Sequence, residues 1–262
     1  MNDQDTNLNV TILQTELAWE DPETNLTHFR NKINKISRNT DLVILPEMFT
    51  TGFSMQPERL AEPTEGNALK WMQSLASEKR ITLTGSVIIH ENGNYYNRLF
   101  VVFADGNYEI YDKRHLFRMG EENKHYTAGQ KRVIFNLGKW RILPLVCYDL
   151  RFPVWSRNRD DYEMAVYVAN WPEARRHVWR ALLIARALEN QVYVIGVNRI
   201  GKDGNGLTYS GDSMIIDPRG NVLSSTQPHK DSVETLSLSL DELNRFREQF
   251  PVGLDADEFV IK

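Results

Sequence analysis

The sequence predicts an α/β fold in which helices cover a mixed sheet or a pair of sheets. Apolar runs of strand length alternate with stretches whose apolar residues recur at helical spacing. Short turns rich in Gly, Asn and Asp separate several of the runs, as in β-hairpins. The same strand–helix–strand order occurs in both halves of the chain, which suggests a pseudo-symmetric sandwich.

In the first half, strand and helix patterns follow one another regularly. The predicted helices are residues 22–38, with Leu26, Phe29, Ile33 and Ile36 at helical spacing, and a segment marked by Leu69, Met72, Leu75 and Ala76. The predicted strands are residues 10–14, 42–45, 81–89 and 96–103, with turns at 91–94 and 104–107.

In the second half, an apolar run over 140–147 precedes a short helical segment from Pro153 and a strand at 164–169. Residues 173–190 predict a long helix, whose inward face we expect to be Val178, Ala181, Leu182, Ala185 and Leu188. Further strands are predicted at 191–197, 214–217, 221–224 and 233–240. The glycine-rich segment 201–206 is predicted as a loop, because it lacks the spacing and strand-to-helix context of a phosphate-binding loop.

Composition excludes several classes of protein. The 262 residues, 41% hydrophobic and 25% charged, predict one domain over residues 1–262 with a sizeable core. A net charge of −4 without a basic stripe argues against a nucleic-acid binder, so the basic clusters at 113–115 and 175–177 are interpreted as local features. No apolar run is long enough for a membrane span.

Two further expectations concern location and metals. The N-terminal residues lack the apolar segment of a signal peptide, and a single cysteine cannot form an intramolecular disulfide. We therefore expect a cytoplasmic protein. The six histidines show no metal-ligand spacing, so no metal or other cofactor is expected.

Three segments carry chemistry-bearing residues at or near the ends of predicted elements. The only cysteine, Cys147, ends an apolar run and begins the segment CYDLRFP. Glu47 follows the 42–45 strand in LPEMFTTGF, and Lys113 lies in YDKRHLF. Taken singly, each has a structural explanation: a cysteine on an apolar strand usually packs, and the two charged residues are ordinary at a surface.

Together, and in this order, the three segments resemble the nitrilase (carbon–nitrogen hydrolase) superfamily. The resemblance extends over nearly the whole chain and includes NWP at 170–172 and GDS at 211–213. It implies a four-layer α-β-β-α sandwich, in which two such units pair through their helical faces, so that a homodimer is expected. It also implies an amidase whose cysteine forms a thioester.

The chemistry of the residues agrees with that implication. A free thiol is mostly protonated near neutral pH, so Cys147 needs a base such as Glu47. Lys113 and the backbone N–H of Tyr148 can stabilise the oxyanion. The family places a second carboxylate between the lysine and the cysteine. We assign it to Glu122, with the neighbouring Glu121 left as an alternative.

Two residues are candidates for substrate binding. Arg151 lies close enough to the nucleophile to bind the carboxylate of a short substrate, or alternatively pairs with Asp149 and braces the turn. Trp171 is interpreted as either a core residue or a wall of the pocket.

Within the superfamily, LPEMFTTGFSM and HLFRMGEENKHYTAG resemble the omega-amidase branch. That branch hydrolyses small ω-amides such as α-ketoglutaramate and α-ketosuccinamate. An N-carbamoyl amino-acid hydrolase is the nearest alternative. A non-catalytic member that binds a metabolite or a protein is disfavoured, because Glu47, Lys113 and Cys147 are all present.

Overall fold

A computed structural model describes residues 6–36 and 39–261. Its strands are β1 (Asn7–Gln14), β2 (Leu42–Ile44), β3 (Thr82–Glu91), β4 (Asn94–Val102), β5 (Tyr108–Asp112), β6 (Phe135–Leu137), β7 (Trp140–Val146), β8 (Met164–Ala169), β9 (Tyr193–Asn198), β10 (Ile200–Lys202), β11 (Thr208–Ser210), β12 (Met214–Ile216) and β13 (Ser232–Ser239). Its α-helices are α1 (Pro22–Asn34), α2 (Pro57–Leu60), α3 (Asn67–Lys79), α4 (Glu122–His125), α5 (Pro153–Ser156), α6 (Arg176–Asn190) and α7 (Leu240–Gln249).

The strands form two mixed sheets and a small hairpin. The first sheet has the order β13-β1-β2-β3-β4-β5, and the second has the order β12-β9-β8-β7-β6. Each sheet has a parallel centre, β1-β2-β3 or β7-β8-β9, flanked by antiparallel strands. The repeated rhythm seen in the sequence therefore corresponds to two similar parallel units. The pair β10–β11 forms a separate hairpin.

Alternating side chains on the central strands produce four layers. On β2, Leu42 and Ile44 join the cluster shared by both sheets, whereas Val43 packs in the cluster with α1 and α3. Across the second sheet, Trp179 and Leu183 of α6 pack so closely on β9 that a Cβ at Gly196 would clash with both. The order helix, sheet, sheet, helix confirms the predicted α-β-β-α sandwich.

The predicted inward face of α6 is wrong in part, since Val178 and Leu182 pack against the core only from partly buried positions. Ala181 and Leu188 are exposed, and the buried residues are instead Trp179, Leu183, Arg186, Ala187 and Asn190. Hydrogen bonds explain the difference, because Trp179 Nε1 donates to the Asp212 carbonyl at 2.8 Å and Arg186 Nη2 donates to the Leu150 carbonyl at 2.7 Å. Large residues, whose side chains donate hydrogen bonds to backbone carbonyls of neighbouring segments, therefore face the sheet.

Other boundaries differ from the predictions in local ways. The first helix ends at Asn34, and residues 37–38 of its predicted range lie outside the described part of the chain. The predicted strand 221–224 is wrong: only Val222 bridges to Ile216 there. Helix α7 has no counterpart among the predictions, although Ser239 caps it by accepting a hydrogen bond from Glu242 N.

The long predicted helix over 173–190 begins as a 3₁₀ turn at Glu173–Arg175 and continues as α6. Within the described ranges, no helix has the length and apolar character needed to cross a membrane.

Candidate active site

The ends of strands from both sheets bring the predicted residues together. Lys113 directly follows β5, Cys147 directly follows β7, and Glu47 comes three residues after β2. Glu122 is the first residue of α4. All four are buried, which contradicts the alternative interpretation of Glu47 and Lys113 as surface charges.

Lys113 binds both carboxylates. Its Nζ donates to Glu47 Oε1 at 2.8 Å and to Glu122 Oε1 and Oε2 at 2.9 and 3.0 Å. Burial by itself would lower the pKa of Lys113, but the two carboxylates outweigh burial and raise that pKa above its usual range. The ammonium therefore stays charged, and its direction is fixed by three charge-assisted hydrogen bonds.

Two asparagines also donate hydrogen bonds to the carboxylate of Glu47. Asn97 Nδ2 donates to Glu47 Oε1 at 2.8 Å, and the backbone N–H of Asn170 donates to Oε2 at 2.8 Å. The Asn170 side chain also donates to the backbone carbonyl of Glu47 at 2.6 Å. Such a carboxylate is oriented before any substrate arrives.

The structure brings Glu122, and not Glu121, to the lysine. Glu122 is fully buried, and its Oε2 also accepts from the backbone N–H of Phe117 at 2.6 Å. Burial raises the pKa of Glu122 above its usual value. Glu121 is exposed and pairs with Lys124.

Cys147 occupies a sharp turn. Its φ of +46° lies in the left-handed region, which is uncommon for a residue other than glycine and is frequent at functional sites. Burial raises the pKa of the thiol well above its usual range, and Glu47, a hydrogen-bond partner, adds to this shift. Lys113 acts in the opposite direction. The thiol is therefore protonated at neutral pH and depends on a base.

The carboxylate of Asp149 stabilises this turn by accepting hydrogen bonds. Its Oδ2 accepts from the N–H of Val146 at 3.0 Å and from the Tyr111 hydroxyl at 2.8 Å. Its Oδ1 accepts from His115 N at 3.0 Å and from His115 Nδ1 at 2.7 Å. The alternative that Asp149 pairs with Arg151 is wrong, because four other donors occupy the carboxylate.

A cavity of about 130 Å³ opens in front of the thiol. Among the residues that line it are Lys113, Cys147, Tyr148, Arg151, Trp171 and Arg175. Trp171 is nearly buried and forms part of the wall, so both of its interpretations hold at once. The guanidinium of Arg151 lies 5.2 Å from the centre of the Trp171 ring.

Several site residues were missed by sequence reasoning. Asn97 lies inside β4, where no sequence pattern distinguishes it. Asn170 directly precedes Trp171 in the NWP segment, so it could have been predicted from the sequence. Arg175 was assigned to a local basic cluster, although it lines the cavity. Tyr209 belongs to the β10–β11 hairpin and also lines the cavity, but nothing in the sequence except its aromatic side chain indicated a site there. Across residues 6–36 and 39–261, no cluster of His, Cys, Asp and Glu is arranged to hold a metal ion.

Comparison with known sequences places this arrangement among related enzymes. Residues 9–248 match the family described as carbon–nitrogen hydrolase. The chain is 47% identical to omega-amidase YafV of Escherichia coli (strain K12) over 96% of this chain and 98% of that protein. It is 32% identical to 2-oxoglutaramate amidase of Bacillus subtilis (strain 168), over 93% of this chain and 95% of that one.

A solved structure shows the same fold along nearly the whole chain. It is a CN-hydrolase superfamily protein from Xanthomonas campestris with an arsenic adduct in its active site, and it is 40% identical to this chain. The superposition covers 98% of this chain and 99% of that one, with a TM-score of 0.95. By its family match, its relatives and its fold, this chain belongs to the carbon–nitrogen hydrolase family.

Proposed function

We propose that this protein is an omega-amidase, which converts a small ω-amide such as α-ketoglutaramate or α-ketosuccinamate into the dicarboxylic acid and ammonia. The observation that supports this most directly is the Cys147 thiol, which faces a small cavity beside Glu47 and Lys113. The 47% identity to an omega-amidase over nearly the full length points to the same substrate class.

In the first half-reaction, Glu47 takes the thiol proton while Cys147 Sγ attacks the amide carbon. The carbonyl oxygen becomes negative and accepts hydrogen bonds from Lys113 Nζ and the N–H of Tyr148. As the tetrahedral intermediate collapses, Glu47 returns the proton to the leaving nitrogen. The C–N bond breaks, ammonia departs, and a thioester remains on the cysteine.

In the second half-reaction, Glu47 takes a proton from water, whose oxygen attacks the thioester carbon. The same two donors stabilise the second oxyanion. The C–S bond breaks, the thiolate recovers its proton from Glu47, and the acid is released. Glu122 has no proton to transfer in this scheme. It keeps Lys113 charged and directed at the oxyanion position.

The substrate's far carboxylate needs a partner when it enters the cavity, because burying an unpaired charge is costly. Arg151 lines the cavity and has no ion pair among the described residues, so we assign it to this carboxylate. The Asp149 carboxylate is already occupied by Val146, Tyr111 and His115.

One panel of substrates tests the proposal. The panel contains α-ketoglutaramate, α-ketosuccinamate, an aliphatic nitrile and an N-carbamoyl amino acid, and ammonia release is measured with the wild type and with Cys147→Ala. We expect cysteine-dependent release to be fastest from the two ω-amides. Faster release from the carbamoyl compound would favour the carbamoylase alternative, and no release from any member would favour a binding protein.

We also propose a cytoplasmic homodimer that pairs through its helical faces. The lone cysteine, which suits a reducing compartment, supports the location. The outer face of α6 carries apolar side chains, of which Leu188 is 50% exposed. Light scattering should give twice the mass of 30.4 kDa, and Leu188→Arg should shift the protein toward monomer.

A further inference from the structure

Arg175 is a second guanidinium on the wall of the same cavity. It stands at the end of the 3₁₀ turn before α6, and its Cζ lies 5.4 Å from the centre of the Phe117 ring. Arg151 sits in the same way over Trp171. An arginine held over an aromatic face by a cation–π contact keeps N–H groups available to a planar anion.

The acidic residues around Arg175 are engaged elsewhere. Glu173 pairs with His229, and Asp212 pairs with Arg176 and Arg180. In the described part of the chain, no ion pair or side-chain hydrogen bond involves the guanidinium of Arg175.

Among the described residues that line the cavity, only Asp203 is acidic. Its Oδ2 accepts from the Tyr209 hydroxyl at 2.8 Å, and its Oδ1 accepts from the backbone N–H groups of Asn205 and Leu207, both at 2.9 Å. It is thereby committed to holding the turn of the hairpin. The charge of Lys113 is likewise matched by Glu47 and Glu122. Arg151 and Arg175 therefore leave the cavity with unpaired positive charge.

Hydrogen bonds of Trp171 connect the positions of Arg151 and Arg175. Trp171, on which Arg151 stacks, donates from Nε1 to the backbone carbonyl of Arg175 at 2.9 Å. The backbone N–H of Trp171 donates in turn to Asn198 Oδ1 at 2.8 Å. The hydrogen bond thus fixes the backbone of Arg175 relative to the ring beside Arg151, and each guanidinium lies over an aromatic ring of the same wall, which reduces the reorganisation that anion binding requires.

We propose that Arg175 is a specificity-determining residue that holds, together with Arg151, the carboxylate of the acyl group. This assignment rests on the proposed amide hydrolysis. A cavity of about 130 Å³ admits an acyl chain of only a few carbons, so an anion at its far end lies within reach of both guanidiniums while the amide reaches Cys147. The pair selects amides whose far end is a carboxylate over uncharged amides of equal length.

Succinamate and butyramide test this selectivity, because they differ only in a carboxylate replaced by a methyl group. For Arg175→Gln, the ratio of kcat/KM for succinamate to kcat/KM for butyramide should fall on the order of 10- to 100-fold. Arg175→Lys should lose less, because it keeps the charge without the planar fork. The double variant with Arg151→Gln should lose less than the product of the two single losses, because both residues hold one group.

Arg245→Gln is the matched control, since Arg245 is an exposed arginine on α7 that does not line the cavity. It should leave the ratio unchanged. If Arg175→Gln leaves the ratio of the two kcat/KM values unchanged, whether or not both values fall, the proposal is overturned.

Calorimetric binding of succinate separates this proposal from the proposed function. Arg175→Gln should weaken succinate binding on the order of 10-fold or more, whether or not either amide is hydrolysed. If the wild type hydrolyses neither succinamate nor the two ω-amides of the substrate panel, the proposed function fails while this measurement still decides the role of Arg175. Equal affinity of the wild type and Arg175→Gln for succinate would reject that role.

Discussion

The single positive charge of Lys113 faces a larger amount of negative charge. Two buried carboxylates share its ammonium, and a thiol that must be deprotonated lies beside them. Removing one member of such a group leaves an uncompensated buried charge, which is strongly unfavourable. Each of the charged side chains therefore has a structural as well as a chemical reason to be present, and variants need readouts for both.

The raised pKa of Cys147 predicts how its reactivity changes with pH. Alkylation requires the thiolate, so inactivation by iodoacetamide should be slow at pH 7 and should accelerate continuously up to pH 9 or beyond. Cys147→Ala should show no hydrolysis while keeping its circular dichroism spectrum. A rate of alkylation that is already constant above pH 7 would contradict a protonated resting thiol.

Neighbouring glutamates offer a matched pair for the second carboxylate. Glu122→Gln should lower kcat on the order of 100-fold, because it loosens the ammonium that faces the oxyanion. Glu121→Gln removes an exposed charge and should change kcat by less than about twofold. Steady-state kinetics with one ω-amide compares the two, and a larger effect at Glu121 would reverse the assignment.

At the level of elements, the sequence predicts where strands end better than which face a helix buries. Cys147 and Glu47 were located correctly because apolar runs stop before them, and that signal is local. The buried face of α6 was predicted only in part, because its buried positions include Arg186 and Asn190, whose side chains bond to partners far along the chain. The same limit applies to Arg175, whose place in the cavity depends on tertiary structure.

Asp149 connects the cysteine-bearing turn to the lysine-bearing segment. Its partners Tyr111 and His115 lie two residues on either side of Lys113, and Val146 directly precedes Cys147. The fold therefore uses one buried carboxylate to fix the position of the nucleophile relative to the ammonium. His115 is held in turn by stacking on Phe152, with ring centres 3.9 Å apart.

Asp149→Asn should consequently reduce both stability and turnover. An amide replaces one acceptor oxygen with a donor group that faces N–H or O–H donors, so a loss of about 2–5 kcal/mol in unfolding free energy is expected. Thermal denaturation and kcat measure the two effects. Asp105→Asn, in the exposed turn before β5, is the control, and a variant of Asp149 with wild-type melting temperature and kcat would refute the link.

Across the whole molecule, the site exists only while the two sheets stay packed together. Glu47 and Lys113 follow strands of the six-stranded sheet, whereas Cys147 and Asn170 follow strands of the five-stranded sheet. Hydrogen bonds from Asn170 to Glu47 cross between the two halves. Neither half by itself has both a nucleophile and a base.

Because both sheets contribute to one apolar cluster, we expect residues 1–262 to unfold as one unit. Separating the sheets would expose Leu42 and Ile44 on one side and Ile142 and Val146 on the other. A half-unfolded state would therefore lose much apolar burial for a small gain in chain entropy. Calorimetry should show one transition with equal calorimetric and van't Hoff enthalpies per cooperative unit. Activity should disappear over the same temperature range, and two separate transitions would indicate that the halves are independent domains.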